Sequence, residues 1–306
     1  VLKEFAVDPN VIASSYETCR YLISQFGVDK GRLISKFPKT WKKLAIEAAD
    51  KLPDGRKKEQ VVQSLSSISN DWLTLVASNR AYPAPGDPWL DNAMAGHAAT
   101  PFNAIICDQD NPPEQMIDAG GHFETNPLFA ANRTCAVRRS ASDLAHPAIL
   151  MLKNCQKLRL IDPYFDPSRP KWRNPLAAIL ASVPDIRTLD CEYHLHETDG
   201  SPSTAELIRR LQQLDGVIPT GGTIKIVRWK EKAGGERFHR RYLLTENAGL
   251  IYEGGLDEAT NANQTTDVSL LDHKHHTMRW AEYNQDSQVF ELVEPSLIVD
   301  SKGNVT

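Results

Sequence analysis

The residues of this chain best suited to chemistry lie between Glu236 and Asp257, E-R-F-H-R-R-Y-L-L-T-E-N-A-G-L-I-Y-E-G-G-L-D. His239 stands two residues before Arg241. On a short strand alternate residues share a face, so the pair would present an imidazole and a guanidinium to one substrate. The imidazole can serve as nucleophile or base, and the guanidinium is a fixed cation beside it. A phosphate diester suits that combination better than other common substrates do. Glu246, in Thr-Glu-Asn-Ala-Gly, is most simply a turn acid.

Other clusters are weaker. Lys225 to Tyr242 contains Lys225, Arg228, Lys230, Lys232, Arg237, Arg240 and Arg241 against Glu231 and Glu236, an excess of five positive charges. With Trp229, Phe238 and Tyr242 interleaved, this stretch could follow a phosphate backbone and stack bases; the plainer alternative is a charged surface hairpin. Glu192, His194 and His196 alternate on one strand face, and His-x-His is a metal spacing, but the sequence names no third ligand. A strand end whose histidines meet solvent or a cleft is the simpler account. Asp272-His-Lys-His-His276 reads as a solvated loop, because Lys274 would repel a cation. Neither a metal nor another cofactor is expected. Lys36, Lys39, Lys42 and Lys43 read as one solvated helix face.

With 35 basic and 39 acidic residues among 306, the formal charge of −4 sets up no global field for nucleic acid, so any polyanion site must be local. Five scattered cysteines without C-x-x-C argue for reduced thiols rather than a disulfide framework or zinc ribbon. No apolar run approaches the ~18 residues of a membrane span, and no signal sequence opens the chain, so the cytoplasm is the expected address.

The length suggests two domains, placed at 1–125 and 126–306. The first is expected to be mostly helical. Asp8-Pro9 resembles an N-cap with proline at the first helical position, and Ile12, Tyr16, Cys19, Ile23 and Phe26 form one helical face. Trp41, Leu44, Ala48 and Leu52 form a second face, and Val61, Leu65, Ile68, Trp72 and Val76 a third. Beyond about Ser142 strands alternate with helices. Strands are expected at Leu158–Asp162, Ile186–Glu197 and Thr223–Trp229, followed by two in the His239 region. Helices are expected to start at Asn174-Pro175 and at the capping box Ser203-Thr-Ala-Glu206. That alternation favours crossover units in a mainly parallel sheet flanked by helices.

From about Ser142 to Val293 the chain resembles the phospholipase D-like superfamily, whose motif is His-x-Lys-x4-Asp followed by Gly-Ser or Gly-Gly on the next strand. It is most similar to a divergent branch typified by the C-terminal domain of MIT-domain proteins, matched here at His239, Arg241, Glu246, Gly249 and Gly255-Leu256-Asp257. The resemblance implies an α/β fold of phospholipase D type, a mixed, mainly parallel sheet flanked by helices, behind the helical first domain. It also implies metal-independent phosphodiester cleavage through a phospho-histidine at His239, with nucleic acid ahead of lipid as substrate. Arg241 would replace the usual Lys as phosphate clamp, and Gly254 and Gly255 would bring backbone N–H groups to the phosphate. Asp257 or Asp267 would orient His239, with spacing slightly favouring Asp267.

Two departures, Arg for Lys and Glu for Asp, also occur in relatives that only bind. The rival reading is therefore an inert module holding nucleic acid, phospholipid or a protein partner. With one motif copy, the leaving-group acid would come from a homodimer partner or from His194, His196, His273, His275 or His276. Bacterial proteins of this look occur in genome-defence and mobile-element contexts. A protein partner would engage the first domain.

Overall fold

A computed structural model describes residues 1–68, 74–121, 125–261 and 263–306. The chain divides into two compact units, Leu2–Arg133 and Thr134–Thr306.

The first unit is α/β, which corrects the expectation of a mostly helical domain. Strands β1 (Lys3–Val7), β2 (Arg32–Lys36), β3 (Leu75–Ala77), β4 (Ala104–Cys107) and β5 (Met116–Asp118) form a parallel sheet in the order β3-β2-β1-β4-β5. The helices are α1 (Pro9–Ile12), α2 (Tyr16–Gln25), α3 (Trp41–Ala49), α4 (Arg56–Ser67) and α5 (Trp89–Ala99). They cover both sheet faces: Phe5, Val7, Ile34 and Ile106 pack with Leu22, Trp41 and Leu65, while Ala6, Ile105 and Cys107 pack with Trp89 and Ala93. Strands buried on both faces lose the polar alternation that would mark them, and these span only three to five residues. Val76, placed on a helical face by its spacing, is a β3 residue, and Trp72 lies outside the described residues.

The second unit is built on one eight-stranded sheet in the order β13-β9-β8-β7-β10-β11-β12-β6. These strands are β6 (Thr134–Arg138), β7 (Lys157–Ile161), β8 (Asp190–His196), β9 (Thr223–Lys230), β10 (Tyr242–Thr245), β11 (Gly249–Tyr252), β12 (Thr265–Leu270) and β13 (Glu291–Asp300). Only β7, β8 and β9 run parallel to one another and the other pairings are antiparallel, so the sheet is mixed, but mainly antiparallel rather than mainly parallel. Its helices are α6 (Ala141–Ala145), α7 (Ile149–Leu152), α8 (Pro170–Ala181), α9 (Thr204–Leu211) and α10 (His273–Glu282).

Ser203 caps α9 through the Glu206 N–H, as the capping-box spacing predicts. Helix α8 instead begins at Pro170, with Pro175 inside it. Residues Ile186–Thr188, expected in a strand, form a short 3-10 turn held by Asp185. Asp272 is the N-cap of α10, so 272–276 opens a helix rather than forming a loop.

The sheet order decides where the chemistry can sit. β7, β8 and β9 step one way, and β10 then pairs with the opposite edge of β7. The segment between Lys230 and Tyr242 must therefore cross the carboxyl ends of β8 and β7, roughly 14 Å at three strand spacings. Such a reversal of strand order leaves a crevice at the carboxyl ends of the strands.

Candidate active site

His239 and Arg241 lie in that crossing segment, immediately before β10, and not on a strand as the sequence suggests. A segment spanning strand ends has no ladder partner along its length. It is fastened by Glu231, whose carboxylate accepts the Phe238 N–H at 2.9 Å and lies 3.6 Å from His196 Nε2. Phe238 stacks on the His196 ring at 5.5 Å and packs edge-on to Tyr283. Phe238 is thereby sunk into the core while His239 stays exposed.

His239 Nδ1 is 3.2 Å from the Arg237 carbonyl oxygen. A carbonyl can only accept, so this contact calls for a proton on Nδ1, and in the neutral ring Nε2 then keeps its lone pair. That is the tautomer a nucleophile needs.

Arg241 is half-buried, with its guanidinium carbon 5.0 Å from the Tyr164 ring centroid. Among the described residues its side chain makes one hydrogen bond, a long one of 3.5 Å to the Glu253 carbonyl, and its buried Nε has no acceptor there. Asp162, directly after β7, faces the same group. It is fully buried and accepts the Tyr164 N–H and the Leu256 N–H, each at 3.0 Å. Burial pushes the Asp162 carboxyl up to about 6, against those two hydrogen bonds and the Arg241 charge. Gly255, at φ +99°, runs between them: a Cβ there would stand 3.0 Å from Asp257 Oδ1 and 3.5 Å from Asp162 Oδ2.

The raised Asp162 carboxyl has a checkable sign. Its folded value lies above the unfolded 3.8, so its contribution to stability is full below about 3.8 and is lost as pH rises through about 6. Asp162→Asn should remove that slope. Urea unfolding of wild type and variant at intervals from pH 4 to 7 checks this, and parallel curves would count against it.

The other sequence-derived residues are placed as follows. Gly254 donates its N–H to Thr266 Oγ1 at 2.7 Å, so only Gly255 lies beside Arg241. Asp257 is held by Arg139 and by Lys171 Nζ at 2.8 Å rather than by His239. Asp267 is exposed on β12, opposite Ala136 of β6. Glu246 is at the far end of β10, roughly 17 Å along the strand from Arg241. There it accepts the Gln156 and Lys157 N–H groups at 2.7 and 3.0 Å, so it anchors the turn to the start of β7.

The proposed base-stacking stretch is corrected. Trp229, Phe238 and Tyr242 are buried in one core cluster and present no ring to a ligand. Arg228 is buried and hydrogen-bonds Thr204 Oγ1 and the Pro295 carbonyl. Arg240 lies beside Tyr242, Lys225 is half-buried, and Lys230 and Arg237 are exposed.

Among the candidate second histidines, His194 is wholly buried. Its Nδ1 accepts the Trp229 indole N–H at 2.8 Å, so it is a neutral ring with its Nε2 proton toward Glu192, 3.3 Å away. Burial lowers its pKa in keeping with that state. His276 is buried against the Thr245 carbonyl at 2.8 Å, and His273 and His275 open the same helix, all near the far end of β10. His196, at the carboxyl end of β8, is the one candidate at the crossing-segment edge. Among the described residues no group of three or more His, Cys, Asp or Glu could hold a metal. Nor is any helix among them long and apolar enough to cross a membrane.

Tyr164 escaped the sequence reading. It is 61% exposed, far above the other aromatic rings around the site, and nothing in Ile161-Asp-Pro-Tyr-Phe165 marks it as functional. A larger cavity of about 750 Å³ opens in the first unit beside Lys39, Arg80 and Tyr82. Arg80 there is engaged by Glu4 and the Thr100 and Pro101 carbonyls.

No family model matches this chain, and no curated protein does. Among solved structures it is similar to TrmBL2, an archaeal chromatin protein described as showing a novel mode of DNA binding, at 16% identity and TM-score 0.28. That overlap covers 55% of this chain and 56% of TrmBL2. It is also similar to polyphosphate kinase from Porphyromonas gingivalis, at 13% identity and TM-score 0.31, over 78% of this chain and 37% of the kinase. Neither fixes a family. The chain spans less than two thirds of either protein.

Proposed function

We propose that the second unit is a phospholipase D-like, metal-independent phosphodiesterase acting on nucleic acid. The observation that carries the reading is Arg241: a half-buried guanidinium at the strand-order reversal, whose buried Nε has no acceptor among the described residues. An unsatisfied buried donor calls for an anion, and a planar fork favours phosphate. Arg139 and Lys171 add positive charge around Asp257, which partly offsets them.

In this reading His239 Nε2 attacks phosphorus and the bond to the leaving oxygen breaks. His196 gives that oxygen a proton, assisted by Glu231. Water deprotonated by His196 then attacks the phospho-histidine, the P–N bond breaks, and His239 is restored. This reading draws both imidazoles from one chain rather than from a homodimer partner. Arg241 and the Gly255 backbone stabilise the charge growing on the non-bridging oxygens.

The test is hydrolysis of bis(4-nitrophenyl) phosphate and of a labelled oligonucleotide in excess EDTA. Turnover should persist, and Arg241→Ala should reduce it about a hundredfold. Loss of turnover on chelation, or none in the wild type, would refute the reading. In the wild type without turnover, salt-sensitive oligonucleotide binding would favour the inert module. Support for it is that Asp257 is engaged by two cations and His239 has no carboxylate partner among the described residues.

A further inference from the structure

We infer that the site takes an unpaired nucleotide, its phosphate on Arg241 and its base on Tyr164, turned toward the cavity beyond. This rests on Arg241 as phosphate clamp and goes further by naming what lies next to the phosphate.

Tyr164 belongs to two features at once. The Arg241 guanidinium lies over its ring, and the same residue lines a cavity of about 260 Å³ formed with Phe165, Asp166, His196, Arg210 and Arg228. An exposed aromatic ring in water is a stacking platform for any base, because every base offers a π-face. The cavity falls just below the range that encloses drug-sized ligands, so one ring system is the appropriate occupant.

Charge decides what enters it. Arg210 is paired with Glu206 at 3.0 Å and lies 3.5 Å from Asp166; Arg228 lies 3.7 Å from Glu197. The cavity cations are thus matched by carboxylates, unlike Arg241, so a second phosphate gains little there. A neutral group with hydrogen-bonding edges fits better, and Ser201 and His196 can meet such edges. A base in a duplex has its edges paired and its faces stacked, so only an unpaired one can be read this way.

The experiment is equilibrium binding of a fluorescent single-stranded oligonucleotide, the same sequence as duplex, and a 5′-mononucleotide competitor. Wild type, Tyr164→Ala, Tyr164→Phe and Arg241→Ala are compared. Single strand should bind at least about tenfold tighter than duplex. Tyr164→Ala should lose roughly five- to a hundredfold in affinity, and Tyr164→Phe should restore it. Tyr164 is exposed, so its removal leaves the fold unperturbed, which circular dichroism checks.

Competition by the mononucleotide would make free nucleotides the ligand, and its absence a strand; both sustain the inference. Equal affinity for duplex and single strand, or full affinity in Tyr164→Ala, would overturn it. If Arg241→Ala still loses binding in that case, the clamp survives. If Arg241→Ala binds like wild type, the clamp fails too.

Discussion

His239→Ala is expected to lower phosphodiester turnover by about a thousandfold or more while leaving the thermal transition unchanged. The side chain is exposed and makes one hydrogen bond among the described residues, to its own segment, so its removal opens no cavity. Deleting a nucleophile removes the covalent route outright, and what survives is the electrostatic stabilisation from Arg241 and the Gly255 backbone. In the same reading His196 is committed to the leaving oxygen and to water, so it does not stand in as nucleophile. Initial rates on bis(4-nitrophenyl) phosphate, with phosphoramidate detected by phosphorus NMR during wild-type turnover, give the measurement. A variant within tenfold of wild type would remove His239 from the chemistry.

What could be read from the residues depended on how local its cause was. Ser203 bonds to an N–H three residues on, and a helix with its buried stripe at Leu207 and Leu211 follows from that spacing alone. The strand expected at Leu158–Asp162 is a short, mostly apolar run, and it is there as Lys157–Ile161. β1, β3 and β5 were missed because three to five residues buried on two faces carry no period to detect.

The site was legible only in its motif. Asp162 matters because β7 lies beside β10 and its carboxylate reaches the Leu256 N–H, a pairing 94 residues apart. Tyr164 follows from the same arrangement. Conversely, Trp229, Phe238 and Tyr242 looked available for stacking because charge surrounds them in sequence. The strand pleat and the Tyr283 packing turn all three inward.

A second large effect should come from Arg159, which no motif includes. Arg159→Ala is expected to cost about 3–5 kcal/mol in this unit, the usual penalty for breaking one side of a buried ion pair. Its Nε donates to Glu192 Oε2 at 2.9 Å, with the two side chains only 13% and 12% exposed. Its other donors reach the Trp280 carbonyl at 2.6 Å and Asn284 Oδ1 at 2.7 Å, and its guanidinium lies 4.0 Å from the Trp280 ring centroid. One residue thus joins β7, β8 and α10.

Among the described residues, removing it leaves Glu192 with only the Gln285 amide at 3.4 Å and the neutral His194, whose Nδ1 is already committed to Trp229 and which cannot gain a proton without expelling that indole N–H. Hydrogen exchange localises the loss, so the first unit does not blur it: protection of β7 and β8 amides should fall by roughly two to four orders of magnitude. Exchanging both partners, Arg159→Met with Glu192→Met, should cost less than Arg159→Ala alone, because no buried charge is then left unmatched. If the single variant unfolds no more easily than wild type, the network is ornamental to the sheet. The strand ends that carry Asp162 and His196 must then be positioned by apolar packing alone.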